Sequence, residues 1–300
     1  MSTARPDVID AGSHIADDGL FGPDSVTWKV SAHPVGGLVG TAAASIQMLY
    51  PPVMYMIDQA STFREKPELR ARRTAEYVAT ITYGDVAAAE KAGETLRRIH
   101  ARCKATDPNT GEEYGVDEPE YLLWVHNALV WTSLRAFAKY GPHVNDDERD
   151  QYVVEQHTAA RLVGCDLSQL PSTATETDDY MRSMEPKLAL SLPALWFKAM
   201  VMPKGPSFHP TAMLQDLAAW GSISLMGDAH RRLFGISYGR LRALATETAV
   251  KAMLGPLTTP VEVAIPKARE YVDENAFGAR RHTVNPVLHA GPEPTAMPES

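Results

Sequence analysis

Apolar positions recur at helical spacing along most of this chain, and no run alternates convincingly with the period of a strand. The first apolar stretch lies between Lys29 and Asp58, where no Asp, Glu, Lys or Arg occurs. His33-Pro34, Gly36-Gly37 and Pro51-Pro52 interrupt it, leaving a short buried helix from about Leu38 to Tyr50. That is shorter than the ~20 apolar residues a membrane span needs. Gly36, Gly37, Gly40 and the alanines after them suit close helix packing, because the Lys-Ser/Thr ending of a phosphate loop is absent.

A helix is predicted to open near Lys66-Pro67, since proline is favoured in a first turn. It places Arg70, Arg73, Thr74, Tyr77 and Ile81 on one face. Tyr83-Gly84-Asp85 stops it and caps a second helix, from about Val86 to Ala105, with Ala89, Gly93, Leu96, His100 and Cys103 along one stripe. Asp107-Pro108-Asn109-Thr110-Gly111 reads as a turn, and Asp117-Glu118-Pro119 starts a third helix that Gly141-Pro142 ends. Tyr121, Leu122, Leu123, Trp124, Leu129, Trp131 and Phe137 make this helix apolar almost all round, so it is expected at the centre.

Asn145-Asp146-Asp147-Glu148 opens a fourth helix closing at Gly164, and Thr175-Glu176-Thr177-Asp178 resembles a capping box with Asp in place of Glu. Further helices are predicted at about 189–202, 211–226 and 238–253. The expected fold is all-α: one helical domain over residues 26–255, a flexible arm at 1–25, and a Pro-rich wrapping or disordered tail at 256–300.

Composition narrows the function classes. A net charge of -8 argues against nucleic acid and against a polybasic membrane anchor. Cys103 and Cys165 form no disulfide framework and fit a reducing compartment. The first thirty residues carry no basic-then-apolar leader pattern, so a cytoplasmic protein is expected.

The histidines exclude several chemistries. No Glu stands three residues before any histidine, as a di-iron carboxylate bundle requires, and no His-Glu-x-x-His motif is present. No hydrolase elbow or dinucleotide fingerprint appears either. His100 remains, on an apolar stripe with Arg97 and Arg98 just before it. A lone histidine there is a core residue or a metal ligand. Haem needs only one protein donor, given apolar walls and cations for its propionates. Arg70, Arg72, Arg73, Arg97, Arg98, Arg102 and Lys104 offer the cations, and Ala89, Ala92 and Gly93 offer room for a flat macrocycle. In an antiparallel hairpin turning at Tyr83-Gly84, the Cα atoms of Thr74 and His100 would lie on the order of 12–13 Å apart. That span holds a haem iron between two faces; it also fits an ordinary helical hairpin with solvated arginines.

The ordered set Asp58-Gln59-Ala60-Ser61, Arg70-Ala71-Arg72-Arg73-Thr74, Tyr83-Gly84, Arg98-Ile99-His100, Tyr114, Trp124-Val125-His126 and Pro171-Ser172-Thr173 resembles a family of bacterial and fungal haem oxygenases. That family includes latex clearing protein and MpaB-type enzymes, and the resemblance covers about residues 25–250. It implies a globin-like helical fold, haem b, an axial histidine and dioxygen chemistry. The family's distal Arg-x-x-Lys-Thr motif matches Arg70, Arg73 and Thr74, with arginine in place of lysine. Its axial histidine matches His100 in preference to His126, which is a core histidine unless it supports the ligand from behind or replaces it. The acidic residue of the latex enzymes has no clear equivalent, Asp58 being the nearest acid.

A guanidinium stays protonated and does not ligate iron, so polyisoprene cleavage is not implied. The resemblance thus implies a haem b-dependent oxygenase that hydroxylates or cleaves a hydrophobic small molecule. Arg70, Arg73 and Thr74 serve the catalytic face, His100 the iron, Arg97, Arg98 and His126 the cofactor, and Trp124, Leu129, Met48 and Met54 a dry pocket. A haem-binding gas sensor without turnover and a helical apolar-ligand binder are the alternatives.

Overall fold

The computed structural model describes residues 17–61, 63–205 and 208–278. Among them thirteen α-helices and one two-stranded sheet form a single all-α domain. The arm expected at 1–25 and the tail expected at 256–300 fall partly outside these residues, at 1–16 and 279–300.

The charge-poor stretch folds as α1 (Val26–Ser31), α2 (Gly36–Gln47) and α3 (Pro51–Ala60). Pro51-Pro52 therefore opens a helix where a stop was expected: prolines in the first turn lose no intrahelical N–H partner. α4 (Pro67–Tyr83) and α5 (Val86–His100) form the predicted hairpin, with Gly84 closing α4 and the Asp85 carboxylate accepting the Ala88 N–H at 2.7 Å. α5 ends at His100, earlier than predicted, because the chain turns into β1 (Lys104–Thr106), paired antiparallel with β2 (Glu113–Gly115). Strands of three residues are too short to display alternation. The turn between them is the expected one: Asp107 Oδ1 accepts from Asn109 and Thr110, and Gly111 sits at φ +77.

The apolar helix α6 (Pro119–Tyr140) is central, packing against α2, α7 (Asp146–Val163), α8 (Ala174–Met184), α10 (Pro210–Leu225) and α12 (Arg240–Leu254). α7 has the full Asn145–Glu148 capping box and ends on Gly164 at φ +93, a conformation glycine adopts without strain. The cap of α8 lies two residues before the predicted one. Thr173 Oγ1 accepts the Glu176 N–H at 3.1 Å, while Asp178 accepts from Trp131 Nε1.

The remaining helices are α9 (Leu192–Val201), the short α11 (Asp228–Leu233) and α13 (Val261–Asn275). α13 occupies sequence read as tail and packs on α4 and α1, burying Ile265 and Val272 with Trp28 and Tyr83. No helix among the described residues is long and apolar enough to cross a membrane.

Candidate functional site

α4 carries Arg70, Thr74, Tyr77 and Ile81 on one face, and their environments differ along it. Arg70 is almost surrounded by protein, and burial lowers its pKa. Among the described residues its guanidinium makes no hydrogen bond or ion pair; Cys103 and His100 are its charge-sensitive neighbours. Thr74, one turn on, is exposed, and its hydroxyl donates back to the Arg70 carbonyl at 3.1 Å. Tyr77 is buried again, with a hydroxyl that has no partner. Along this face the chain thus runs from half-buried Arg70 through exposed Thr74 to buried Tyr77. Arg73 is exposed, as is Arg72, which pairs with Glu76 at 3.5 Å.

α5 brings His100 to the same region. Burial lowers the pKa of its imidazole; Asp117 opposes the shift and the Arg70 charge adds to it. The ring is neutral at pH 7, which is the ligand form. Its Nδ1 is buried without a partner, and the imidazole makes no side-chain hydrogen bond among the described residues.

The other cofactor residues are placed differently. Arg97 donates from Nη1 to the Leu162 carbonyl at 2.5 Å, tying α5 to the last turn of α7. Arg98 is exposed, 3.9 Å from Glu94 and 3.3 Å from Thr95 Oγ1. Ala89, Ala92 and Gly93 leave no space for a macrocycle: a Cβ on Gly93 would lie 3.0 Å from Leu162 Cδ2, so α7 already fills that groove.

His126 lies on α6, surrounded by protein yet with some accessible surface. Burial pushes its pKa down to about 4, and the His157 charge adds to the effect. His157 Nε2 is 2.7 Å from the Pro171 carbonyl. His126 therefore faces His157 on α7. Nearby, the buried Tyr180 hydroxyl and the Asn127 amide Nδ2 face one another without closing a hydrogen bond. Trp124, Met48 and Met54 are packed in the core, with Trp124 Nε1 donating to the Gln47 carbonyl at 3.1 Å; of the four expected pocket residues, only Leu129 is partly accessible.

The structure thus joins Arg70 and His100, leaves Arg73, Thr74 and Arg98 exposed, and assigns Arg97 to a helix contact. Sequence reasoning passed over Tyr77 as a functional residue although it shares the Arg70 face, and gave Asp117 only a helix-start role. No group of three or more His, Cys, Asp or Glu side chains converges among the described residues, so protein donors alone build no metal cage there. A metal already chelated by a macrocycle requires one donor. A neutral imidazole with a buried, unpartnered nitrogen fits that donor, and a half-buried cation without a counter-ion fits a macrocycle bearing carboxylates.

The family model described as "ER-bound oxygenase mpaB/B'/Rubber oxygenase, catalytic domain" matches residues 28–254. No curated protein and no solved structure matches the chain.

Proposed function

Since the chain belongs to the mpaB/rubber oxygenase catalytic-domain family and is an enzyme of oxygenase type, we propose that it uses haem b and dioxygen to oxidise a hydrophobic small molecule. The observation that carries this reading is the buried, unpartnered Nδ1 of His100 on α5 beside the half-buried Arg70 guanidinium on α4, which has no counter-ion among the described residues. The unmet His100 Nδ1 costs folding free energy as it stands, on the order of 1–3 kcal/mol. A cofactor with one open metal position and anionic arms would satisfy both groups.

His100 would hold the iron through its neutral ring, and Arg70 would balance a propionate. Bound haem supplies dioxygen activation at its iron. Thr74 and Arg73 lie on the accessible part of α4, one turn from Arg70. The Thr74 hydroxyl has to leave the Arg70 carbonyl before it can donate to a reacting oxygen, whereas the Arg73 guanidinium is free to swing in. Both donors favour developing negative charge. The Tyr77 hydroxyl, buried and unpartnered next to Arg97 and Cys165, is a further donor on the same face. His126 is read as a core histidine beside His157. Arginine at position 73 supplies a permanent donor in place of a ligand-competent lysine, which favours a substrate other than polyisoprene.

The test is an absorption spectrum of the protein expressed with haem supplied. A Soret band is expected, with a changed ligand state in His100→Ala and an unchanged one in His126→Ala. No band, or one that His100→Ala leaves untouched, removes this reading.

A further inference from the structure

Away from His100, the second half of α6 forms one wall of a cavity of about 430 Å³. Leu134, Arg135, Ala138 and Lys139 project into it from a single helical face, below Trp131. α7 contributes Arg149, α8 contributes Ala174 and Asp178, and α12 contributes Glu247 and Lys251. None of its lining residues belongs to the region around Arg70 and His100.

Four cations and two carboxylates line this space, a positive excess inside a chain of net charge -8. Both carboxylates are committed: Glu247 pairs with Lys251 at 2.8 Å, and Asp178 accepts from Trp131 Nε1. Arg135 lies over the Trp131 ring and spends Nε and Nη2 on the carbonyls of Leu225 and Met226, at 2.6 and 3.2 Å.

Two donors keep unfilled capacity. The half-buried Lys139 ammonium lies 5.6 and 6.0 Å from the rings of Tyr140 and Tyr238, and it has no hydrogen bond or ion pair among the described residues. Arg149 reaches the exposed Asp146 at 3.3 Å through Nη1, while its Nε is buried without a partner. Lys139 feels the Glu247 charge without a hydrogen-bonded acceptor, and Arg149 keeps its Nε unfilled beside the Asp146 pair, so both retain capacity for an anionic acceptor. Leu134, Ala138 and Ala174 add apolar wall, and the volume lies within the roughly 300–1,000 Å³ of small-molecule sites.

We propose that this cavity binds a compact organic carboxylate, its head held by Lys139 and Arg149 and its apolar body set against Leu134, Ala138 and Ala174. The site is separate from the oxygenase centre, so its occupancy does not depend on haem.

Calorimetric titration of the full chain at low ionic strength tests it, with benzoate as probe, benzamide as its neutral isostere and inorganic phosphate as the bare anion. One benzoate site is expected, with benzamide and phosphate each at least about tenfold weaker. Lys139→Met and Arg149→Gln should each weaken benzoate by about tenfold or more with an unchanged circular dichroism spectrum. If Lys139→Met fails to fold, Arg149→Gln decides alone. Absence of benzoate binding, equal affinity for benzamide, phosphate binding as tight as benzoate, or affinity unaltered in the folded variants would each overturn the proposal.

Discussion

The Arg70 guanidinium on α4 lies close enough to the His100 imidazole at the end of α5 for its charge to oppose protonation of the ring. Neither side chain hydrogen-bonds to anything else among the described residues. Two helices joined by a two-residue turn thus present a neutral nitrogen base and an unbalanced cation to one interior.

Replacing Arg70 separates stability from cofactor binding. Arg70→Met removes a half-buried, unpaired charge at similar volume and should leave the haem-free protein as stable or stabilise it by up to about 1 kcal/mol. The same change should speed haem loss to apomyoglobin by about tenfold, because a propionate loses its counter-ion. Urea midpoints and transfer rates check the two effects; a variant that is destabilised and keeps its haem would show that Arg70 is structural.

Acid should weaken the fold before the carboxylates begin to titrate. His126 and His230 have pKa values pushed down to about 4 by burial, from an ordinary 6.5, with nearby positive groups adding to each shift. The unfolded chain therefore takes up protons at both rings over the window in which the folded chain refuses them. Stability is full above about pH 6.5 and falls as pH drops toward 4. For the deeply buried His230 the loss approaches about 3 kcal/mol, and it is smaller for His126, which keeps accessible surface. Urea melts between pH 7 and 4 measure this, and His230→Asn should flatten the slope.

Gly84 controls the α4–α5 turn sterically. A Cβ there would stand 2.5 Å from the Thr80 carbonyl oxygen, and the Gly84 oxygen in turn lies 2.2 Å from where a Cβ of Gly19 would be. Gly84→Ala should cost about 1–3 kcal/mol by forcing the backbone apart. Thermal unfolding reads the loss, and the Soret position of haem-supplied protein reads whether His100 has shifted.

Glu155 anchors α1 to α7. Its carboxylate accepts the Val26 N–H at 3.1 Å, the Thr27 N–H at 2.8 Å and the Thr27 hydroxyl at 2.7 Å. Glu155→Ala leaves two first-turn N–H groups without acceptors and should destabilise by about 1–3 kcal/mol. Glu155→Gln keeps one acceptor oxygen and should lose less, a ranking that denaturant titration resolves.

Helix starts and the Arg70–Thr74–Tyr77–Ile81 face were legible because periodicity and capping are local properties. Which members of that face are enclosed was not legible, since part of the answer lies just after α13, where Phe277 sets its ring edge-on to Tyr77, two hundred positions away. Small residues misled for a related reason. Ala89, Ala92 and Gly93 read equally well as room for a ligand or as room for a helix, and Leu162 of α7 occupies that room. The β1–β2 hairpin escaped notice because three residues carry no period.

The packing of α13 also sets an order of events. Phe277 donates its N–H to Thr80 Oγ1 at 2.9 Å, Arg269 donates to the Asp17 carbonyl, and α13 lies along α4. A ribosome delivers residue 80 long before residue 277, and domains acquire structure as they emerge. The helix bearing Arg70 therefore waits, with part of its interior side uncovered, until residues 261–278 have left the exit tunnel. The packing around α4 is completed only after residues 261–278 are available, and a nascent chain stalled before residue 261 would hold α4 without its final lateral support.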